Sequence, residues 1–281
     1  MNSAQNIIYN KLKKTGHIKK MRSELGSPIQ YFLPLDDDEV PLNKLIGKKI
    51  TLEFSGEIHC SNCGKKTNKS YSQGYCFVCM RSLPQCDMCI MKPETCHFHL
   101  GTCRDAEWGE KNCFKDHTVY LANTSGVKVG ITRDTPTRWV DQGATQALPI
   151  FRVKNRLLSG LIETEFKQHI ADKTDWRKML KGNADTIDLA ERRDELFETT
   201  KKAVAAIIKK HGDDAVEALD QDSILLDFPV EAFPEKVKSL NFDKTPVISG
   251  TLQGIKGQYL NLASVVLNIL KFTSYLISLD Y

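Results

Sequence analysis

Nine cysteines crowd into positions 60 to 113 of this 281-residue chain, and no other position holds one. Six of them form three C-x2-C pairs: Cys60/Cys63, Cys76/Cys79 and Cys86/Cys89. Each such turn brings two thiolates to one ion, and two turns complete the tetrahedron that structural zinc prefers. Thiols in this number fit metal binding in a reducing compartment better than disulfides. The N-terminus, MNSAQNIIYNKLKKTGHIKK, lacks the apolar run of a signal peptide, so a cytoplasmic setting is expected. The most apolar window, residues 260–279, is broken by Asn261, Asn268 and Lys271 and is not expected to span a membrane.

Cys60, Cys63, Cys76 and Cys79 are assigned to one zinc ion, with Gly64 suited to the first turn. A second zinc ion is expected on Cys86, Cys89, Cys103 and one of Cys96, His97 or His99, with Cys96 preferred as the thiolate. Cys113 and His117, spaced i to i+4, complete that site, form a third, or belong to the core. An iron–sulfur cluster is the competitor, but ferredoxin-type clusters use three close cysteines rather than evenly spaced pairs. No ligand set leaves an open position beside an acid or base, which favours structural over catalytic zinc.

Around this region the chain reads as mixed α and β. Residues 49–58, KITLEFSGEI, alternate Ile50, Leu52 and Phe54 with polar neighbours and predict a half-buried strand. Residues 1–58 are too short to bury a core alone, and 245-TPVISGTLQGIKGQYLNLASVV offers similar short runs. A sheet shared by the two ends of the chain is therefore expected. Helical spacing marks residues 155–170, and a longer helix is expected to open on Asp185 as N-cap and stop at Gly212. The expected divisions are an N-terminal β segment (1–58), a zinc module (59–116), a small α/β domain (117–185), and a helix plus C-terminal β segment (186–281).

Charge is unevenly spread. The net is +3 over residues 1–110, +6 over 111–181 and −5 over 182–281, so only the middle region is clearly suited to a polyanion. There, Val119–Asn123 reads as a strand, Thr124-Ser125-Gly126 as a turn and Val127–Thr132 as a returning strand, followed by Arg138 on a short helix closed by Gln142, Gly143 and Ala144.

This stretch resembles the GIY-YIG nuclease superfamily over about residues 117–185. Val119-Tyr120-Leu121 stands at the first tripeptide and Lys128-Val129-Gly130 at the second, with lysine in place of its tyrosine. Arg138 corresponds to the family's arginine, and Glu163, three before Phe166, to its metal-binding glutamate. The resemblance implies that Glu163 holds Mg²⁺ or Mn²⁺, Arg138 clamps phosphate and Tyr120 positions or activates water. Lys128 puts the acid–base role in question. A rival pair on the predicted helix is Glu165 and His169, which lie nearer the middle of its apolar arc. Asp175, Trp176 and Arg177 are expected to line the same cleft.

Across nearly its full length the chain is also similar to the bacterial domain-of-unknown-function family 2797, through 73-QGYCFVC, 93-PETCH, 101-GTCR, 117-HTVYLA, 128-KVGITR, 138-RWVDQGA, 173-KTDWRKML and 253-QGIKGQYL. The expected fold is thus α+β: a cysteine-rich zinc-ribbon module, then a small GIY-YIG-like α/β domain, flanked by N- and C-terminal β segments. The expected partner is nucleic acid, DNA or RNA, with a protein partner docking on the zinc module as a further option. Either the chain cuts nucleic acid with a divalent ion, or it is a non-catalytic nucleic-acid or ribonucleoprotein adaptor.

Overall fold

The computed structural model describes residues 12–263 and 265–281, so the first eleven positions of the expected N-terminal segment lie outside the described residues. Strands β1 (Lys13–His17), β2 (Arg22–Glu24), β3 (Gln30–Leu35), β4 (Asp38–Pro41) and β5 (Lys49–Ile58) come first. Three short helices follow in the cysteine region: α1 (Phe77–Ser82), α2 (Met88–Met91) and α3 (Ala106–Cys113). Next come β6 (His117–Asn123), β7 (Val127–Thr132), α4 (Thr137–Asp141), β8 (Gln146–Val153), α5 (Arg156–Phe166), α6 (Trp176–Lys181) and α7 (Leu189–His211). The chain closes with β9 (Val216–Ala218), β10 (Ile224–Leu225), β11 (Val247–Thr251), β12 (Gly254–Lys256), β13 (Tyr259–Leu262), β14 (Val265–Asn268) and β15 (Tyr275–Asp280). No helix among the described residues is long and apolar enough to cross a membrane.

The result is a mixed α+β architecture of several small sheets. One runs β1-β15-β5-β11, all antiparallel, and draws its strands from both ends of the chain. β5 buries Ile50, Leu52 and Ile58, as its alternation requires. Its pairing with β15 slips where Tyr275 faces Ile58 and Ile277 faces Phe54, and the extra β5 residues include Gly56 at φ 86°. That bulge bends the end of β5 immediately before Cys60. Three-stranded sheets β2-β3-β4 and β12-β13-β14 complete this half.

The other main sheet is ordered β10-β8-β6-β7, with β9 paired on β8. Its central strand β6 is buried on both faces, which explains its near-continuous apolar run. Tyr120 and Ala122 point into the core shared with the N- and C-terminal strands. Val119 and Leu121 point the other way, into a second core with Leu158, Ile162 and Phe166 of α5 and Leu196 of α7.

Two helix ends differ from the sequence expectation. The long helix is capped by Asp188, whose carboxylate accepts from the Ala190 and Glu191 N–H groups. Asp185 instead gives its carbonyl to Asn123 Nδ2, a contact outside any local pattern. Helix α5 ends at Phe166 rather than 170, since the chain turns there to lay Ala171 beside β7.

Candidate functional site

The first four cysteines converge. Cys60 follows β5 directly, and a tight turn closes as Gly64 N–H donates to the Cys60 carbonyl (2.8 Å), with Gly64 at φ 68°. Cys76 caps α1, its sulfur accepting from the Cys79 N–H at 3.5 Å. One sulfur from each of Cys60, Cys63, Cys76 and Cys79 lies within 4.8 Å of the other three. Cys63 Sγ and Cys76 Sγ are 3.9 Å apart, close to the ~3.8 Å that a tetrahedron with ~2.3 Å Zn–S bonds requires.

The electrostatics of these thiols call for a cation. Burial works against ionisation of Cys60, but the N–H groups of Cys63, Cys76 and Asn62 outweigh it and bring the thiol down to about 6. Cys79 receives a hydrogen bond from Asn62 Nδ2 (3.4 Å), yet burial and the three neighbouring thiols push it up to about 12. Four thiolates this close together repel one another unless a divalent ion supplies the balancing charge. The cluster is positioned to bind one zinc ion.

A second set of polar groups meets at the open side of the β6–β7 hairpin. Tyr120 of β6 pairs with Gly130 of β7, and its ring lies over that glycine. A Cβ at Gly130 would fall 2.6 Å from Tyr120 Oη, so glycine is required there by the tyrosine opposite. Tyr120 is fully buried, donates to Gln142 Oε1 (3.0 Å), and packs edge-on against Trp139. Burial pushes its phenol up to about 12, with Arg138 opposing and Glu163 reinforcing the shift. Lys128, opposite Ala122 in the hairpin, is only 4% exposed. Burial and then Arg138 bring its ammonium down to about 8, against the pull of Glu163 and Asp172. Glu163 on α5 is raised by burial, while Lys167 and Lys128 draw it down and Asp172 and Glu94 push it up. Tyr120 and Lys128 therefore each lie within the fields of Arg138 and Glu163.

Residues 47–277 match the family described as "Protein of unknown function (DUF2797)", most of the chain. The chain belongs to that family. No curated protein and no solved structure matches it.

In this DUF2797 chain the rival helix pair does not assemble. Glu165 accepts from Gln168 Nε2 (3.2 Å), and His169 lies exposed beyond the end of α5. Nor do Asp175, Trp176 and Arg177 stand free: Asp175 caps α6, Trp176 stacks on Tyr259 (5.7 Å) and Arg177 covers Trp176 (4.2 Å). Asp172, which sequence reasoning passed over, reaches Lys128 and Glu163 because Ala171 forms a parallel bridge with Lys128 and accepts from the Val129 N–H at 2.8 Å. Its sequence signal was weak, one acid in 171-ADKTDWRKML.

The later cysteines of this DUF2797 chain divide differently from the expected grouping. Cys86 sits apart, flanked by Ser72, Arg104 and Cys60 of the first centre. Cys89, Cys96, Cys103 and Cys113 instead line one small cavity, beside His97. His99 lines a neighbouring groove with Lys210 and His211. His117 is buried, with Nδ1 on the Lys115 carbonyl (2.7 Å) and Nε2 without a partner, and burial brings it down to about 4.

This module is seated directly on the helix that carries Glu163. A Cβ at Gly160 of α5 would come within 2.5 Å of the Glu94 backbone nitrogen, so the turn Pro93–Thr95 packs against bare helix backbone. Arg156 Nη2 donates to the Ile90 carbonyl, and Lys167 reaches Glu94 at 4.0 Å.

Proposed function

We propose that Lys128, Arg138 and Glu163, grouped about the buried Tyr120, engage the phosphate backbone of nucleic acid, and that with Mg²⁺ or Mn²⁺ at Glu163 the protein cuts it. The observation that carries the reading is that Tyr120 and Lys128, on neighbouring strands, each feel the charges of both Arg138 and Glu163. These four residues stand on the two strands and two helices that the GIY-YIG resemblance names. The most basic stretch of the chain surrounds them.

Each group has a role its surroundings allow. Arg138 is exposed and offers the planar fork suited to phosphate oxygens. Lys128, with a pKa of about 8, is mostly cationic at neutral pH and adds a second positive charge from the floor of the pocket. Glu163 is partly buried, with Asp172 as a second carboxylate in reach of an ion. A divalent ion there supplies polarisation of the phosphate and a more acidic water. The zinc module braces α5 and so fixes where Glu163 points.

One observation favours a second reading, a non-catalytic nucleic-acid or ribonucleoprotein adaptor. Tyr120 is sealed from solvent and committed to Gln142, which removes it as a group that meets water or substrate. Incubation of wild type and Glu163→Ala with DNA and with RNA, in Mg²⁺ and in Mn²⁺, separates the two. Cleavage by wild type that is lost in Glu163→Ala supports the nuclease. Salt-dependent binding by both without cleavage leaves the adaptor, and no binding by either removes both.

A further inference from the structure

We infer that Cys89, Cys96, Cys103 and Cys113 hold a second structural zinc ion, and that Cys86 is not among its ligands. The inference is independent of what the pocket near Glu163 does. The four residues arrive from four different places: Cys89 in α2, Cys96 at the end of the turn Pro93–Thr95, Cys103 in the loop before α3, and Cys113 as the last residue of α3. They line a common cavity of about 20 Å³. That is room for one water-sized body, which suits a single ion.

A second observation is what this segment lacks. Residues 84 to 114 contribute no side chain to any of the hydrophobic core clusters. Met88, Met91, Leu100 and Phe114 are exposed instead. A stretch of this length built from short helices of at most eight residues cannot be held by apolar burial, and small modules without a core rely on metal or disulfide staples. All nine cysteines are free thiols here.

The surrounding charge is a third. Arg156 is largely buried, its Nε has no hydrogen-bond partner, and the thiols of Cys113 and Cys89 are among its nearest acidic groups. Arg133, anchored on Asn112, also faces Cys113. Four thiolates on Zn²⁺ carry a net charge of −2, a counter-charge for Arg133 and Arg156 beyond the one carboxylate, Glu163, that Arg156 feels.

The competing ligand set is Asp87, Cys89 and His97, whose donor atoms lie within 4.8 Å of one another. His97 Nδ1 is hydrogen-bonded to Thr102 at 2.8 Å, which leaves Nε2 beside Asp87 Oδ2 at 3.6 Å, and Asp87 Oδ2 also takes Arg104 Nε at 2.8 Å. An ion held by these three would carry nitrogen and oxygen in its shell, which separates that set from the four thiols. Among the described residues no three of the four sulfurs lie within 4.8 Å of one another, so binding requires the thiols to close in on the ion from the cavity wall that they share.

Zinc content and zinc-edge X-ray absorption of the purified full chain test this. Two zinc ions per chain are expected, with a sulfur-only coordination shell at about 2.3 Å. Cys113→Ser is expected to retain one zinc and Cys86→Ser to retain two. One zinc per wild-type chain, nitrogen or oxygen in the average shell, iron with sulfide, or zinc lost from Cys86→Ser but kept in Cys113→Ser would each overturn the inference. If Cys113→Ser does not fold, the wild-type count and shell still decide whether a second all-thiolate zinc exists, and the zinc content of Cys86→Ser decides whether Cys86 holds it.

Discussion

Lys128 is the residue whose replacement should reveal most about the pocket. It is 4% exposed, and its pKa is lowered from 10.5 to about 8, chiefly by burial. At about 1.4 kcal/mol per pKa unit, keeping it charged in the folded state costs on the order of 3 kcal/mol. Because the folded pKa is below the unfolded one, that cost is fully present below pH 8. It is relieved as pH rises from 8 towards 10.5, where the unfolded chain still binds the proton and the folded one does not. Lys128→Met removes the charge at nearly constant length. Wild type and variant, unfolded thermally at pH 7 and at pH 9.5, should therefore differ in a defined way. At pH 7 the variant should be more stable by about 3 kcal/mol, roughly 6–12 °C in Tm for a chain of this size. By pH 9.5 the gap should shrink to about half. The same variant should bind nucleic acid more weakly, the usual mark of a charge kept for function at the expense of stability. A variant less stable than wild type at pH 7, or a gap unchanged between the two pH values, would refute the reasoning.

Three further outcomes follow from close contacts and buried groups. Gly130→Ala should destabilise the fold by about 1–3 kcal/mol, since the new Cβ meets Tyr120 Oη at 2.6 Å and Cζ at 2.7 Å, and in a Tyr120→Leu background, which removes both atoms, the cost should fall; equal costs in denaturant titrations would argue against that contact. Gly160→Ala should cost a similar amount by pushing the turn Pro93–Thr95 off α5, and proteolysis should then release the cysteine module faster, an effect absent if the module is seated elsewhere. His117 titrates near 4 in the fold against 6.5 unfolded, so its stabilisation is whole above about pH 6.5 and lost as pH falls towards 4, on the order of 3 kcal/mol in all; His117→Gln should show a shallower acid limb than wild type.

What the sequence made legible was whatever is encoded locally. The C-x2-C pairs at 60 and 76 need only two turns to meet, so spacing alone named the first four ligands, and the structure gathers them. The alternation of Ile50, Leu52 and Phe54 likewise marked β5 over Lys49–Ile58. Contacts made at long range were less legible. Cys86 forms a perfect pair with Cys89 in sequence, yet the turn Pro84–Cys86 leaves it beside Ser72 and Cys60, while Cys113 comes in at the end of α3. A helical wheel favoured Glu165 because it treats residues 155–170 as one helix facing one core. In the fold α5 stops at Phe166, and Glu163 is the acid drawn towards Lys128, with Asp172 as a like-charged neighbour. Asp188 displaced Asp185 as the cap of α7 because Asn123, more than sixty residues earlier, claims the Asp185 carbonyl.

The central claim is that Arg138 and Lys128 meet the phosphate backbone of nucleic acid. The most direct measurement is the affinity of wild type and Arg138→Ala for single- and double-stranded DNA and RNA across a salt series. The account predicts that wild-type affinity falls steeply with salt, and that Arg138→Ala weakens binding while lowering the slope of log K against log salt by about one. Binding that ignores salt, or a slope and affinity unchanged by Arg138→Ala, would contradict it.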